Sequence, residues 1–495
     1  MSSGKPIGKI KYKAIERSQC VLQVLDYEQL ISADHPARII WELAGKMNLE
    51  AFAEQAKSRE GEVGRSRWSP QLLVSVWVYS YTLRIASARA IERLMTHEPG
   101  LRWLTADQEV NHHTLADFRV EHKAALEKLF VEFLAMLDQA GVVDLQMLLQ
   151  DGTKMKAVAG KSSFHRRKTL EKRLRTARKV MKKLEREAAQ EGASQDERRQ
   201  AAQRNAAQQA VKRATAALKQ LEKLEAKAAP SAQADLRVSD SEPEARKMKQ
   251  TNGGWDPGYN MQVITEAQSR IIVNVGVTNE GNDLHQLGPA LDRMAEQGMA
   301  APQTMIADNG YATRENVECT AERKVELIAP WKDDLARQAG SCTRHGIDKE
   351  FAAGVFQKQA RGQQLLCPAG KTLTILQQKV HHGMRQNVFQ AQARDCSRCP
   401  WLRQCCGQRG GPRRIEVPIE SKAMRDYLAR MKRRAVKKLY KKRAEVAEFP
   451  NLWIKGVQQL RRFSVRGLVK VGIEALWIAL AYNISQWIRL RPLLA

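Results

Sequence analysis

The chain has 495 residues, with 82 Lys and Arg against 54 Asp and Glu, a formal net charge of +28. An excess that large points to a polyanionic partner, because a basic surface gains by displacing counterions condensed on phosphates; a membrane surface is the competing polyanion. A hydrophobic content of 43% with ten tryptophans excludes a purely disordered basic tail, and the length allows two or three structural units.

Met1 to Glu16 is polar and basic, so no secretory signal is expected there. Residues 20–140 read as mostly helical. Ser69 and Pro70 form an N-cap and first-turn pair ahead of the apolar run Leu72–Tyr81. Thr114 with Asp117 marks a second helix start leading into Phe118, Leu126, Phe130 and Phe133. His113 is read as a structural residue that caps a neighbouring helix. From Val142 to Leu149 the pattern becomes a short apolar run closed by Asp151-Gly152-Thr153-Lys154, which reads as a buried strand ending at a polar residue.

Residues 161–230 carry 20 basic and 8 acidic residues. Leu170, Leu174, Ala177, Met181, Leu184 and Ala188 form a heptad seam. A break follows at Gly192, then a capping box at Ser194 and Glu197 and a second stripe of Val211, Ala214, Leu218 and Leu221. This predicts a helical hairpin inserted into another domain, either a solvated dimer contact or a DNA grip. Beyond it, Asn260–Ile264 and Ile271–Val275 flank a polar turn and predict a two-stranded hairpin. Gln286–Gln297 reads as a helix, Thr304–Ala307 as a strand followed by Asp308-Asn309-Gly310-Tyr311, and Met424–Trp487 as helical. The most apolar stretch, within Leu468–Ile488, is interrupted by Lys470 and Glu474 and reads as a buried helix, so no membrane partner is expected.

Asp151 and Asp308 each follow a buried run. Aspartates just past strands sit on a rigid frame at a sheet edge, where two can converge on a hard divalent cation. An Asp-Gly pair is equally an ordinary turn. Four cysteines, Cys367, Cys396, Cys399 and Cys405, lie within 40 residues and supply enough thiolates for a tetrahedral zinc site. The alternative is a group of reduced thiols, with Cys20, Cys319 and Cys342 unrelated. Cysteine usage of this kind places the protein in the cytoplasm. Between Lys422 and Arg443 stand eleven basic residues and one acid, Asp426, which suits backbone contacts to nucleic acid. Phe449 and Trp453 fit core packing better than stacking on unpaired bases.

Asp151-Gly152-Thr153-Lys154, Tyr259-Asn260-Met261-Gln262 and Ala307-Asp308-Asn309-Gly310-Tyr311 resemble, in order, catalytic motifs of bacterial insertion-sequence transposases of the DDE superfamily. Tyr79-Ser80-Tyr81, Ser87–Glu92 and His113–Arg119 resemble the helical domain often attached to them. Arg462-Phe463, Arg466-Gly467-Leu468, Glu474 and Asn483 resemble the closing helix. Tyr440, Arg443, Glu448 and Lys455 fit the tyrosine–arginine–glutamate–lysine signature of one branch.

The resemblance implies an α/β catalytic domain, ribonuclease-H-like with a mixed sheet and helices, over 141–490. An all-α N-terminal unit over 1–140 would serve DNA binding or assembly. The basic hairpin (161–250) would be inserted between the first two strands, with a cysteine-containing subdomain at 342–412. Asp151, Asp308 and Glu448 would hold two Mg²⁺ or Mn²⁺ ions. Tyr440, Arg443, Lys455 and Lys154 would contact DNA.

The implied partners are double-stranded DNA, at element ends and target, and further copies of the chain in a dimer or larger assembly on the nucleoid. Relatives commonly have proline directly after the glutamate and a Phe-Gly soon after; here Phe449-Pro450 follows, so a kink is expected just past Glu448 and Glu445 competes with it. Three alternatives remain: a catalytically inactive transposase-derived DNA-binding protein, a coiled-coil scaffold built on residues 161–230, and a metal-dependent nuclease without strand joining.

Overall fold

The structure is a computed structural model that describes residues 24–53, 67–190, 197–250, 253–331, 346–359, 362–381, 384–407 and 410–491. Cys20, Cys342, Gly192 and the Ser194 half of the expected capping box lie outside them.

Among the described residues, the N-terminal unit holds six helices of seven residues or more, α1 (Pro36–Lys46), α2 (Pro70–Thr82), α3 (Ala88–Leu94), α4 (Pro99–Thr105), α5 (His112–Glu121) and α6 (Lys123–Gln139), and a single short turn of helix at Glu50–Ala53. Ser69 caps α2 as read, its side chain accepting from Leu72 N at 3.2 Å. The second expected start is two residues late. Asn111 caps α5, accepting from His113 N at 2.8 Å, and the chain breaks at His122 before α6 begins. His113 caps no neighbouring helix; its ring lies 4.2 Å from that of His112.

The central sheet uses β1 (Met147–Lys156), β2 (Arg246–Lys249), β3 (Trp255–Glu266), β4 (Ile272–Thr278), β5 (Thr304–Ala307) and β6 (Glu326–Ile328). Its order is β2-β3-β1-β5-β6, with β4 pairing the same edge of β3 as β2. The pairs β1·β3 and β3·β4 are antiparallel, while β1·β5 and β5·β6 are parallel. Between β1 and β3 the chain leaves the sheet to build α7 (Arg167–Gln190) and α8 (Glu197–Glu225), which pack on each other. A small core at their base buries Leu170, Ala217, Leu221 and Val238, and Ala207 and Ala214 are buried along α8; most of the other described residues of the pair face solvent.

One expectation fails in an informative way. Asp151-Gly152-Thr153-Lys154 does not end a strand: β1 runs on to Lys156, because β3 continues the antiparallel ladder from Leu148↔Glu266 to Lys156↔Gly258. What ends at this level is β5, whose last pair with β1 is Gln150↔Ala307.

Helix α9 (Leu287–Glu296) lies between β4 and β5, and α10 (Arg314–Glu322) between β5 and β6. A separate antiparallel sheet follows, formed by β7 (Gln357–Gln359), β8 (Gln364–Leu366), β9 (Thr372–His381), β10 (Met384–Ala391) and β11 (Arg414–Pro418), over a core of six fully buried residues. The chain closes with α11 (Lys422–Met431), α12 (Arg434–Lys441), α13 (Arg443–Leu452) and α14 (Leu468–Leu490). The expected kink past Glu448 is absent. Pro450 sits inside α13, and a π turn follows at Trp453–Val457.

Helix α14 is long and apolar enough to cross a membrane by length and composition, yet 72% of its apolar window is buried within the fold. It joins the N-terminal helices to the sheet. Glu474, 1% exposed, faces Arg119 of α5 at 3.7 Å, and Ser464 donates to it from its N–H at 2.8 Å and from its hydroxyl. Arg119 also donates to Ala86 O and Ser464 Oγ and lies over the Trp77 ring. Asn483 clasps β4, accepting from Ile272 N and donating to Ile272 O.

Candidate active site

In antiparallel pairing, opposed residues share a face, so Gln150, Gly152 and Lys154 lie with Ile264, Gln262 and Asn260 on one side of the sheet. Asp151 lies on the other. In the parallel pairing Leu149 stands beside Ile306, and Asp151 and Asp308 are the next positions on that face. Neighbouring strands are about 4.8 Å apart, so the two carboxylates emerge side by side where β5 stops. This arrangement contradicts the coiled-coil scaffold alternative, which requires them to be far apart.

The covering layer comes from the C-terminal helices. Val436 and Tyr440 of α12 and Ala447 of α13 pack on Leu149, Ile306 and Ile328 of the sheet. Helix α13 then delivers two donors to one carboxylate: Arg443 Nη2 donates to Asp151 Oδ1 and Asn451 Nδ2 to Asp151 Oδ2, both at 2.9 Å. Eight residues apart, Arg443 and Asn451 fall about 80° apart around a helix, on one stripe with Ala447. Burial pushes the Asp151 carboxyl up to about 6; Arg443 pulls it down, and the charges of Asp308 and Asp283 push it up. Asp308 Oδ1 accepts from Gly310 N at 2.6 Å, which fixes the turn after β5.

Of the other expected DNA contacts, Lys455 and Tyr440 are engaged inside the protein, and Lys154 through its backbone carbonyl. Lys455 Nζ donates to Lys154 O at 2.8 Å, and its burial holds the ammonium below the usual lysine range. The Tyr440 phenol is pushed up by burial, with Arg443, Asp308 and Asp151 as its charged neighbours. Phe449 and Trp453 stack at 5.9 Å, with Arg270 over Phe449 and Arg489 over Trp453, so both serve packing.

Glu448 is exposed. It lies about 60° from Asn451 around α13, whereas Glu445, also exposed, lies about 120° away. Among the described residues no three His, Cys, Asp or Glu side chains converge closely enough to hold an ion. The structure therefore joins Asp151 and Asp308 but leaves Glu448 on the rim. Helix α12 flanks this rim and exposes Lys437, Lys438, Lys441 and, just past its end, Lys442.

Sequence reasoning missed three participants. Asn451 gives no signal except its two-turn spacing from Arg443. Gln150 looks like one more strand residue. Asp283 lies in the loop after β4, yet its Oδ1 accepts from Asn260 Nδ2 and Gln262 Nε2, both at 2.7 Å.

Cys367, Cys396, Cys399, Cys405 and Cys406 line one cavity beside the second sheet, and all are free thiols. Cys367 Sγ accepts from Lys371 N at 3.2 Å and Cys396 Sγ from Arg413 N at 3.5 Å. Burial pushes the Cys405 thiol up to about 12. Cys319 lies apart on α10 and belongs to none of this.

Two family descriptions match the chain. Residues 366–488 match a transposase DDE domain, and residues 25–121 match a transposase domain (DUF772). The first match contains Tyr440, Arg443, Glu448 and Lys455; Asp151 and Asp308 fall between the two matched segments. No curated protein and no solved structure matches the chain.

Proposed function

We propose that this chain is a DNA transposase that binds the ends of its insertion sequence and catalyses metal-dependent strand cleavage and strand transfer. The observation that carries the reading is the placement of Asp151 beside Asp308 beneath α13, a helix inside the segment matched to a transposase DDE domain. The sheet order, with parallel β1 and β5 at its centre, suits a ribonuclease-H-like catalytic domain over 141–490. The helices within 1–140 would serve end binding or assembly, and the hairpin within 161–250 would add a basic arm.

The donor set fits a hard divalent cation: two adjacent carboxylates, with the buried Asn451 Oδ1 unpartnered among the described residues. Asp151, Asp308 and Glu448 would hold Mg²⁺ or Mn²⁺. When bound, such ions polarise a phosphate oxygen and make a water or 3′ hydroxyl nucleophilic near neutral pH. Arg443 and Asn451 orient the Asp151 carboxylate, and Arg443 offsets its charge until the site is loaded. Lys455 holds the Lys154 end of β1 under the helix. The exposed lysines of α12 grip phosphates, giving register and affinity without reading bases. Glu448, nearer to Asn451 around α13 than Glu445, is the third carboxylate of this reading. The chain would act on double-stranded DNA as a dimer or larger assembly, in the cytoplasm on the nucleoid.

Asp151→Ala and Asp308→Ala should each abolish Mg²⁺-dependent cleavage of element-end DNA while leaving DNA binding largely intact. Undiminished cleavage by both variants would overturn the reading. The rim position of Glu448 favours one second reading, a catalytically inactive transposase-derived DNA-binding protein. It requires that the unmodified chain bind the ends and cut nothing.

We also propose a structural Zn²⁺ held by Cys367, Cys396, Cys399 and Cys405 within 342–412; these thiols line one cavity and would have to draw closer together around the ion. Among the described residues, the core cluster of the second sheet is six buried residues, and a unit with so small a core is commonly stapled. The two N–H to sulfur hydrogen bonds suit thiolate ligands. Purified protein should carry one zinc per chain by elemental analysis and lose it on Cys396→Ser. Zinc-free protein with unchanged thermal stability would refute the site.

A further inference from the structure

Behind the face that carries Asp151 lies a buried polar network. Asp283 Oδ1 takes amide donors from Asn260 and Gln262 on β3. Gln262 Oε1 in turn accepts from Gln150 Nε2 at 3.1 Å and from the Tyr311 hydroxyl. Gln150, Asn260 and Gln262 are 0–2% exposed, so their hydrogen bonds cannot be replaced by bulk water. Tyr311 closes the turn that begins at Asp308. Burial and the charges of Asp283, Asp151 and Asp308 keep its phenol protonated, as a donor must be.

A second tether ties the same two loops together. Asn316 of α10, 2% exposed, donates through Nδ2 to Leu284 O at 2.8 Å and to Tyr311 O at 2.7 Å. A third runs from Gln150 Nε2 to Gln286 O at 3.2 Å. The loop 279–286 and the loop 308–313 therefore behave as one body clamped to β1 and β3. Gly152 permits the clamp, because a Cβ there would stand 2.4 Å from Asp283 Oδ1 and 2.5 Å from Gln262 Nε2.

We propose that Asp283 is a positioning residue of the site: by holding the Asn260 and Gln262 amides it orients Gln262 toward the Tyr311 hydroxyl, and so sets Asp308 beside Asp151. The inference rests on the transposase reading. Asp283 acts through hydrogen bonds accepted at one oxygen, which an asparagine side-chain carbonyl can also accept. Its role is thus separable from charge.

The test uses the full chain and element-end DNA with Mg²⁺, measuring single-turnover cleavage, DNA affinity and thermal stability. Asp283→Ala should lower the cleavage rate about 10²-fold, the scale of a 1 Å misplacement, with DNA affinity unchanged. Asp283→Asn should restore most of that rate. Tyr311→Phe should be slow as well, and combining it with Asp283→Ala should add little, because both break one relay.

Wild-type cleavage by Asp283→Ala would overturn the proposal. So would Asp283→Asn as slow as Asp283→Ala, which would make Asp283 a charge-bearing ligand instead. Loss of rate matched by global loss of stability, with fully additive effects of the two substitutions, would reduce the network to folding support and also overturn it. Failure of the transposase reading is distinguishable, since it would appear as full cleavage by Asp151→Ala and Asp308→Ala.

Discussion

Gly152→Ala probes the join between the sheet and the loop behind it. Ordinary contact begins near 3.4 Å, whereas the added Cβ would meet Asp283 Oδ1 at 2.4 Å and Gln262 Nε2 at 2.5 Å. Both groups must retreat by about 1 Å, and they cannot do so together without breaking the bond between them. Each buried amide left unpaired costs about 1–3 kcal/mol, so a loss of about 2–3 kcal/mol is expected, well above the scatter of surface substitutions. A displacement of that size beside reacting groups should also slow cleavage about 10²-fold. Chemical denaturation and single-turnover cleavage would measure the two effects on one preparation. Gly472→Ala is the control: it lies inside α14 with no atom within 4 Å of the new Cβ, and replacing a helical glycine should stabilise by about 0.5–1 kcal/mol. A Gly152→Ala protein with unaltered stability and rate would show that Asp283 does not press against β1.

Arg119→Ala removes one half of the buried pair joining α5 to α14 and should destabilise by about 3–5 kcal/mol in a denaturation experiment. Glu474→Gln should cost less, since it can still accept from Ser464. Replacing Lys437, Lys438 and Lys441 with Ala should weaken DNA binding similarly for all sequences and flatten its salt dependence, read as the slope of log affinity against log salt. Glu448→Gln should abolish cleavage while Glu445→Gln retains it; the reverse pattern would move the third carboxylate one turn back along α13.

Much of the site was legible because its signals are local. The apolar runs before Asp151 and Asp308 mark buried strands, and the stripe of α7 and α8 is visible from spacing alone. Asp151 was misplaced at a strand end because Asp-Gly ordinarily turns a chain. Here Gly152 is needed for close approach by Asp283 within a continuing strand.

The residues missed depend on contacts across the fold. Asp283 meets partners 21 and 23 residues away and Asn451 one 300 residues away, and no periodicity encodes that. Arg443 and Lys455 look like free phosphate ligands in sequence, yet they bond Asp151 and the backbone of Lys154. The helix also ran through Pro450, because tertiary packing of Ala447 and Pro450 outweighs one missing hydrogen bond.

The central claim is that Asp151 and Asp308 carry out DNA strand chemistry. Its most direct test is strand transfer from a pre-cleaved element end, bearing a free 3′ hydroxyl, into target DNA with Mg²⁺. The unmodified protein is expected to join the strands, while Asp151→Asn and Asp308→Asn bind the end and join nothing. Joined product at the unmodified rate from either variant would contradict the account.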